Sequence, residues 1–234
     1  MLRPFGKRRM ANTIRVLHVD DDPGVAELTA SFLTRADDRF EVETVAGADA
    51  ALERIDGSAV DCIVSDYDMP GRNGIEFLRA VRESYRTLPF ILFTGKGSEE
   101  VASEAVSAGV TDYLQKGTGT EQYDLLANRI TNAVSRNRAR TNYRELFEKA
   151  EVGLAIAHHE TGEIRDVNPA YADIVGHERD DVVGANPEEF TPEHAPNAED
   201  DAVRQITGVV EDGPASFEAG HSTAGTGTGF GLSI

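Results

Sequence analysis

The sequence predicts an α/β fold, a five-stranded doubly wound parallel sheet, followed by a second, incomplete α+β unit. Three observations carry this. Short apolar runs recur about every twenty residues from Thr13 to Leu114 and alternate with stretches of helical period. Carboxylates, a threonine or a lysine directly follow or close four of the five runs. The charge is also divided: the first 144 residues carry a net −3, whereas Glu145 onward carries 19 acidic against 4 basic residues, a net −15. Two unlike units on one chain follow from that partition.

The first nine residues hold Arg3, Lys7, Arg8 and Arg9 without a following apolar stretch, so they do not form a secretory signal. Residues 1–12 read as a disordered leader, with Met10 as a candidate true start. Strands are predicted at Val16–Val19, Phe40–Val45, Cys62–Val64, Phe90–Phe93 and Tyr113–Leu114. Between them, Val25, Leu28, Phe32 and Leu33 share one helix face, as do Ile75, Leu78 and Val81, and then Val101, Ala105 and Ala108. Strands alternating with helices make right-handed βαβ units, and the sheet they form is covered on both faces. This first domain spans 13–134. No proline or glycine interrupts Glu121 to Ala150, where Tyr123, Leu126, Ile130 and Ala133 mark the fifth helix. Asn137, Arg140 and Arg144 then take the same stripe, so 135–150 is a polar linker helix, either solvated or a weak dimer coil.

Ligands of such sheets gather beyond the carboxyl ends of the strands. There the sequence places Asp20, Asp21 and Asp22 after strand one, Asp66 and Asp68 after strand three, Thr94 at the end of strand four, and Lys116 after strand five. Crowded carboxylates repel one another unless a cation lies among them, and an all-oxygen donor set suits Mg²⁺. A threonine hydroxyl and a lysine point charge are what a transferring phosphoryl group needs, and a carboxylate can accept it as an acyl phosphate. Asp22, before Pro23, reads as a helix N-cap instead of a third ligand. Gly74 reads as a turn residue, Cys62 as a buried small hydrophobe and His18 as a core residue.

Val19-Asp20-Asp21-Asp22-Pro23, Ser65-Asp66-Tyr67-Asp68-Met69-Pro70 with Gly74, Phe93-Thr94-Gly95 and Tyr113-Leu114-Gln115-Lys116 together resemble the receiver domains of two-component response regulators, with their flavodoxin-like fold. The resemblance implies that Asp66 takes phosphate from the phosphohistidine of a sensor histidine kinase. It implies Mg²⁺ on Asp21, Asp66 and the Asp68 carbonyl, with Asp20 acting through water. Thr94 and Lys116 would contact the phosphate, and Tyr113 would be the aromatic switch whose movement, with Thr94, presents a face to a downstream protein partner. Asp68 and Lys96, two beyond the acceptor and the threonine, would tune the phosphate's lifetime. The family often carries proline after the lysine; Gly117 here is expected to loosen that loop.

From Tyr143 to Pro192 the order of helix end, strand Val152–Ala157, turn at Gly162, strand Ile164–Val167 and helix after Asn168-Pro169 resembles the opening half of a PAS sensory domain, giving a partial unit at 151–216. Cys62 lies outside it, so a flavin-cysteinyl photosensor is excluded. His158, His159, His177 and His194 read as surface residues instead of haem ligands. The glycine-rich tail 217–234, with Phe217 and Gly227 to Gly231, resembles the ATP lid of a histidine kinase. The alternative function is therefore a truncated or hybrid sensor histidine kinase. It is disfavoured because the acceptor-histidine helix and asparagine box are missing, so a kinase remnant would be inactive.

Composition narrows the rest. A formal charge of −18 argues against nucleic acid and anionic membrane partners. No apolar run approaches the roughly 20 residues of a membrane helix, which points to a cytoplasmic protein. One cysteine permits neither an internal disulfide nor a thiolate zinc cluster. Four lysines among 23 basic residues, on so acidic a chain, resemble the surfaces of proteins from salt-loving organisms.

Overall fold

The computed structural model describes residues 12–57, 59–95 and 97–190. The leader at 1–11, Lys96, His194 and the tail from 217 lie outside the described residues, as does the end of the partial second unit. The chain divides into two compact units, Met1–Arg140 and Thr141–Ile234.

In the first unit the strands are β1 (Ile14–Val19), β2 (Phe40–Val45), β3 (Cys62–Ser65), β4 (Phe90–Thr94) and β5 (Asp112–Gln115). They form one parallel sheet in the order β2-β1-β3-β4-β5, with the order reversing between β1 and β3. The two central strands β3 and β4 are buried at every position, as expected where helices cover both faces of a sheet. On one side Leu17, Val19, Ile63 and Leu92 pack with α2 (Ala48–Gly57), α3 (Gly74–Ser84) and α4 (Glu99–Ser107). On the other, Ile14, Val16, Val64 and Phe93 pack with Leu33 of α1 (Pro23–Ala36) and with Tyr123, Leu126 and Ile130 of α5 (Glu121–Lys149).

Helix starts follow local rules. Asp22 caps α1 by accepting from the amides of Gly24 and Val25, with Pro23 in the first turn. Asn73 and Glu76 form a reciprocal capping box at α3. Arg82, half buried, donates to the carbonyls of Tyr85, Leu88 and Gly109, tying two loops to the end of α3. The α1 face differs from the expected one: Ala26, Thr29 and Leu33 are its buried residues, while Leu28 is 48% exposed. The predicted fifth helix and linker form a single helix, α5.

In the second unit β6 (Ala155–Ala157) and β7 (Ile164–Val167) pair antiparallel around Gly162, whose φ of 72° is the left-handed conformation that favours glycine. Helix α6 (Pro169–Val175) ends at Gly176, also left-handed, and α7 (Arg179–Val182) and a 3₁₀ turn (Pro187–Phe190) follow. Ile164, Val167, Tyr171 and Val182 make a small core. Beside it Asn168 is fully buried and its amide is saturated. Its Oδ1 accepts from Leu154 N (2.7 Å) and Tyr171 N (3.0 Å), and its Nδ2 donates to Val152 O (2.9 Å) and Ala150 O (3.3 Å). Arg179 bridges Asp166 and Glu148 within the same unit.

Truncating Asn168 strands several backbone groups at once. Asn168→Ala is expected to destabilise this unit by more than about 2 kcal/mol. Hydrogen exchange on the full chain would show it as faster exchange in β6 and β7 with β1–β5 unchanged; equal exchange in β6 and β7 would contradict it.

Candidate functional site

Parallel pairing aligns the carboxyl ends of β1, β3, β4 and β5 at one edge of the sheet. The last apolar residue of β1 is Val19, and Asp20 follows it, 3% exposed; Asp66 follows β3 and is 7% exposed. Lys116, one residue past β5, reaches both: its Nζ donates to Asp20 Oδ2 at 2.8 Å and to Asp66 Oδ1 at 2.7 Å. The other oxygen of each carboxylate accepts a backbone N–H two residues on, Asp22 N to Asp20 Oδ1 at 3.0 Å and Asp68 N to Asp66 Oδ2 at 2.7 Å. The Lys116 ammonium also stands 5.6 Å from the centre of the Phe93 ring. Burial lowers the affinity of Lys116 for its proton, but the hydrogen bonds to Asp20 and Asp66 outweigh it and leave its pKa above the ordinary value. The lysine is therefore charged at neutral pH.

The remaining expected residues are placed as follows. Thr94 ends β4, fully buried, and its carbonyl accepts the Lys116 amide at 2.8 Å. Asp21 is exposed beside Asp20, and Asp68 enters through its backbone N–H to Asp66. The expectation of converging carboxylates is met by two, Asp20 and Asp66, with the lysine between them. Among the described residues no group of three or more His, Cys, Asp or Glu side chains is arranged to hold a metal ion.

Tyr113 on β5 has its hydroxyl buried without a hydrogen-bond partner, and burial raises its pKa. The hydroxyl lies against Gly97, where a side-chain carbon would collide with it. Gly74 is not a turn residue: it opens α3 with its backbone against the Asp66 carbonyl, and an added Cβ would meet that oxygen and come within 2.8 Å of Leu92 Cδ1. The loop after Lys116, where Gly117 stands, is tied to α5 by hydrogen bonds. The Gln122 side chain accepts from Gly117 N at 2.8 Å and donates to the carbonyls of Gly117 and Gly119. His18 is a core residue as expected, fully buried one position before Val19. Burial, and then the Lys116 charge, lower its pKa to about 4 against the opposing effect of Asp66. Cys62 is buried, which raises its thiol pKa. His159 and His177 are exposed and His158 is partly so, on the surface as expected.

Residues 16–128 match the family described as the response regulator receiver domain. This segment is a response regulator receiver domain. The receiver is followed by a match to the PAS domain family at 141–210, so a PAS module is present. The chain is 28% identical over 221 residues to the bacterioopsin transcriptional activator of Halobacterium salinarum, covering 86% of this chain and 32% of that protein. It is 34% identical over 98 residues to the transcriptional regulatory protein FixJ of Bradyrhizobium diazoefficiens, covering 42% and 47%. The chain thus spans about a third and about half of these relatives. A CheY-like receiver domain protein from Methanospirillum hungatei superposes with a TM-score of 0.50 at 26% identity, over 55% of this chain and 98% of that one. The kinase alternative finds no support in these matches. The exclusion of nucleic acid on charge grounds is not retained, since relatives carry the names of transcriptional proteins. No helix among the described residues is long and apolar enough to cross a membrane.

Two outcomes follow from the packing of the receiver site. Gly74→Ala is expected to push the Asp66 backbone away and cost about 1–3 kcal/mol in urea unfolding; wild-type stability would contradict the close approach. Because the folded pKa of His18 is depressed, the unfolded chain binds the proton more readily, so stability falls as pH drops from 6.5 towards 4. The loss attributable to His18 is about 3 kcal/mol, read as the difference between wild type and His18→Phe across that range. Parallel pH profiles of the two proteins would refute it.

Proposed function

We propose that the protein is a phosphoacceptor of two-component signalling, with Asp66 taking a phosphoryl group from the phosphohistidine of a sensor histidine kinase. The single observation that supports this best is the pair of buried carboxylates at the ends of β1 and β3, held on one lysine from the end of β5. In the transfer an Asp66 carboxylate oxygen forms a bond to phosphorus while the phosphorus–nitrogen bond of the donor breaks, leaving its imidazole to take a proton and Asp66 as an acyl phosphate. Lys116 pairs with a phosphate oxygen as it gives up part of its contact with Asp66, and the Thr94 hydroxyl donates to another.

The donors at these strand ends are all oxygens, the chemistry that Mg²⁺ takes. Asp20 and Asp66 share one ammonium, which leaves one negative charge unbalanced, and exposed Asp21 adds a second. A phosphoryl dianion entering there meets net repulsion unless a hard cation offsets it. Asp20, Asp21, Asp66 and the Asp68 carbonyl would hold that ion, which when bound supplies charge neutralisation for the phosphoryl oxygens. Thr94 and Tyr113 then act as the switch: a phosphate drawing on the Thr94 hydroxyl changes the space beside Gly97 that the Tyr113 hydroxyl occupies, and the altered face meets a downstream protein partner. The receiver is taken as 13–134, the linker as 135–150 and the PAS-like part as 151–216. The protein is not a kinase in this reading; at most it slowly dephosphorylates itself. Its lysine-poor acidity fits a high-salt cytoplasm.

Incubation of the full chain with acetyl phosphate and Mg²⁺, followed by peptide mapping, is expected to place one phosphoryl group on Asp66. Asp66→Asn or chelation of divalent metal should abolish it, and Lys116→Met should slow it on the order of a hundredfold. Labelling undiminished in Asp66→Asn overturns the assignment.

A further inference from the structure

Beyond the carboxylate–lysine pair, three other buried polar atoms among the described residues of the receiver stand out. Both ring nitrogens of His18 and the Oγ1 of Thr29 lack a partner of good hydrogen-bond geometry, although the Ala26 backbone is near enough to the imidazole to oppose the fall in its pKa, and both residues are fully buried. Alternation along β1 puts His18 on the same side as Ile14 and Val16, the side covered by α1 and α5. Thr29 lies on the buried face of α1, between Ala26 and Leu33. Two polar side chains therefore line a layer that is otherwise apolar.

The imidazole also has a direction. His18 Nε2 stands 3.9 Å from Oδ2 of Asp20, the oxygen that accepts the Lys116 ammonium. That separation is too long for a direct hydrogen bond, and one water about 2.8 Å from each atom would span it. Buried polar groups are almost always satisfied, and where protein partners are lacking an internal water with two or more polar neighbours is the usual solution. We infer that β1 and α1 enclose an internal hydration site, in which one water bridges His18 Nε2 and Asp20 Oδ2 and makes His18 a positioning residue for the carboxylate that grips Lys116.

The bridge fixes Asp20 on a third side. Oδ1 is held by the Asp22 amide and Oδ2 by Lys116; the water adds a contact from within the fold, so the carboxylate keeps its orientation when Lys116 turns towards a phosphate. That consequence rests on the phosphoacceptor reading, whereas the hydration site itself does not.

The experiment has two arms. A high-resolution crystal structure of the full chain is expected to show one ordered water within hydrogen-bond distance of both His18 Nε2 and Asp20 Oδ2. A direct bond between them, or no water, overturns the proposal. In the second arm, His18→Leu is expected to slow acetyl phosphate labelling of Asp66 about tenfold at saturating Mg²⁺, and His18→Gln, which can still hold a water, to restore most of the rate. Equal rates for wild type and His18→Leu would overturn the positioning role, as would equal slowing in both variants. Absence of labelling in the wild type would refute the phosphoacceptor reading while leaving the crystallographic arm to decide the hydration site.

Discussion

One ammonium between two buried carboxylates is the interaction on which the receiver depends. Asp20 and Asp66 are removed from water at the tips of neighbouring strands, and each ion so placed loses hydration that only close partners can replace. Lys116 supplies one partner to both. Backbone amides two residues on supply the second, so all four carboxylate oxygens are hydrogen-bonded. Losing the lysine would leave two like charges facing each other, whereas losing either aspartate would leave a simple ion pair. The asymmetry is why the site retains spare negative charge, on which the proposed divalent ion rests.

The rest of the receiver serves that geometry. Strands β1 and β3 are buried almost throughout up to Val19 and Ser65, so the carboxylates emerge only where the strands stop. Asp22 caps α1 and turns the chain at once, which keeps Asp20 at the strand tip. Gly74 lets the start of α3 lie directly on the Asp66 carbonyl, and Gln122 ties the loop that carries Lys116 to the start of α5. Each device fixes backbone, leaving side-chain rotation as the freedom available to the site.

Much of this was legible in the sequence because strand ends are marked by a change from apolar to acidic residues, as at Val19-Asp20 and Val64-Ser65-Asp66. The Asp22-Pro23 cap was equally plain, being purely local. What escaped depended on distant parts of the chain. Leu28 is more apolar than Thr29, so periodicity assigned the wrong one to the core of α1. Gly74 carries no sign that a carbonyl eight residues earlier will press on it. The tie of Gln122 to Gly117 needs a side-chain conformation, and so does the division of the Lys116 ammonium between Asp20 and Asp66. The aligned strand ends and the lysine facing their carboxylates followed from the pattern; the partner of each carboxylate oxygen did not.

The second unit solves a different problem with a similar economy. Its core of Ile164, Val167, Tyr171 and Val182 is small, and a core of that size leaves little margin against the entropy of ordering the chain. Asn168 compensates by fixing four backbone groups from one buried position, holding the strand entrance and the helix start together without apolar bulk. The stretch from Glu145 onward meanwhile carries a net −15. Self-repulsion of that size opposes compaction and weakens as salt screens it. Among the described residues a small core secured by an amide thus carries a charge whose self-repulsion added salt would screen.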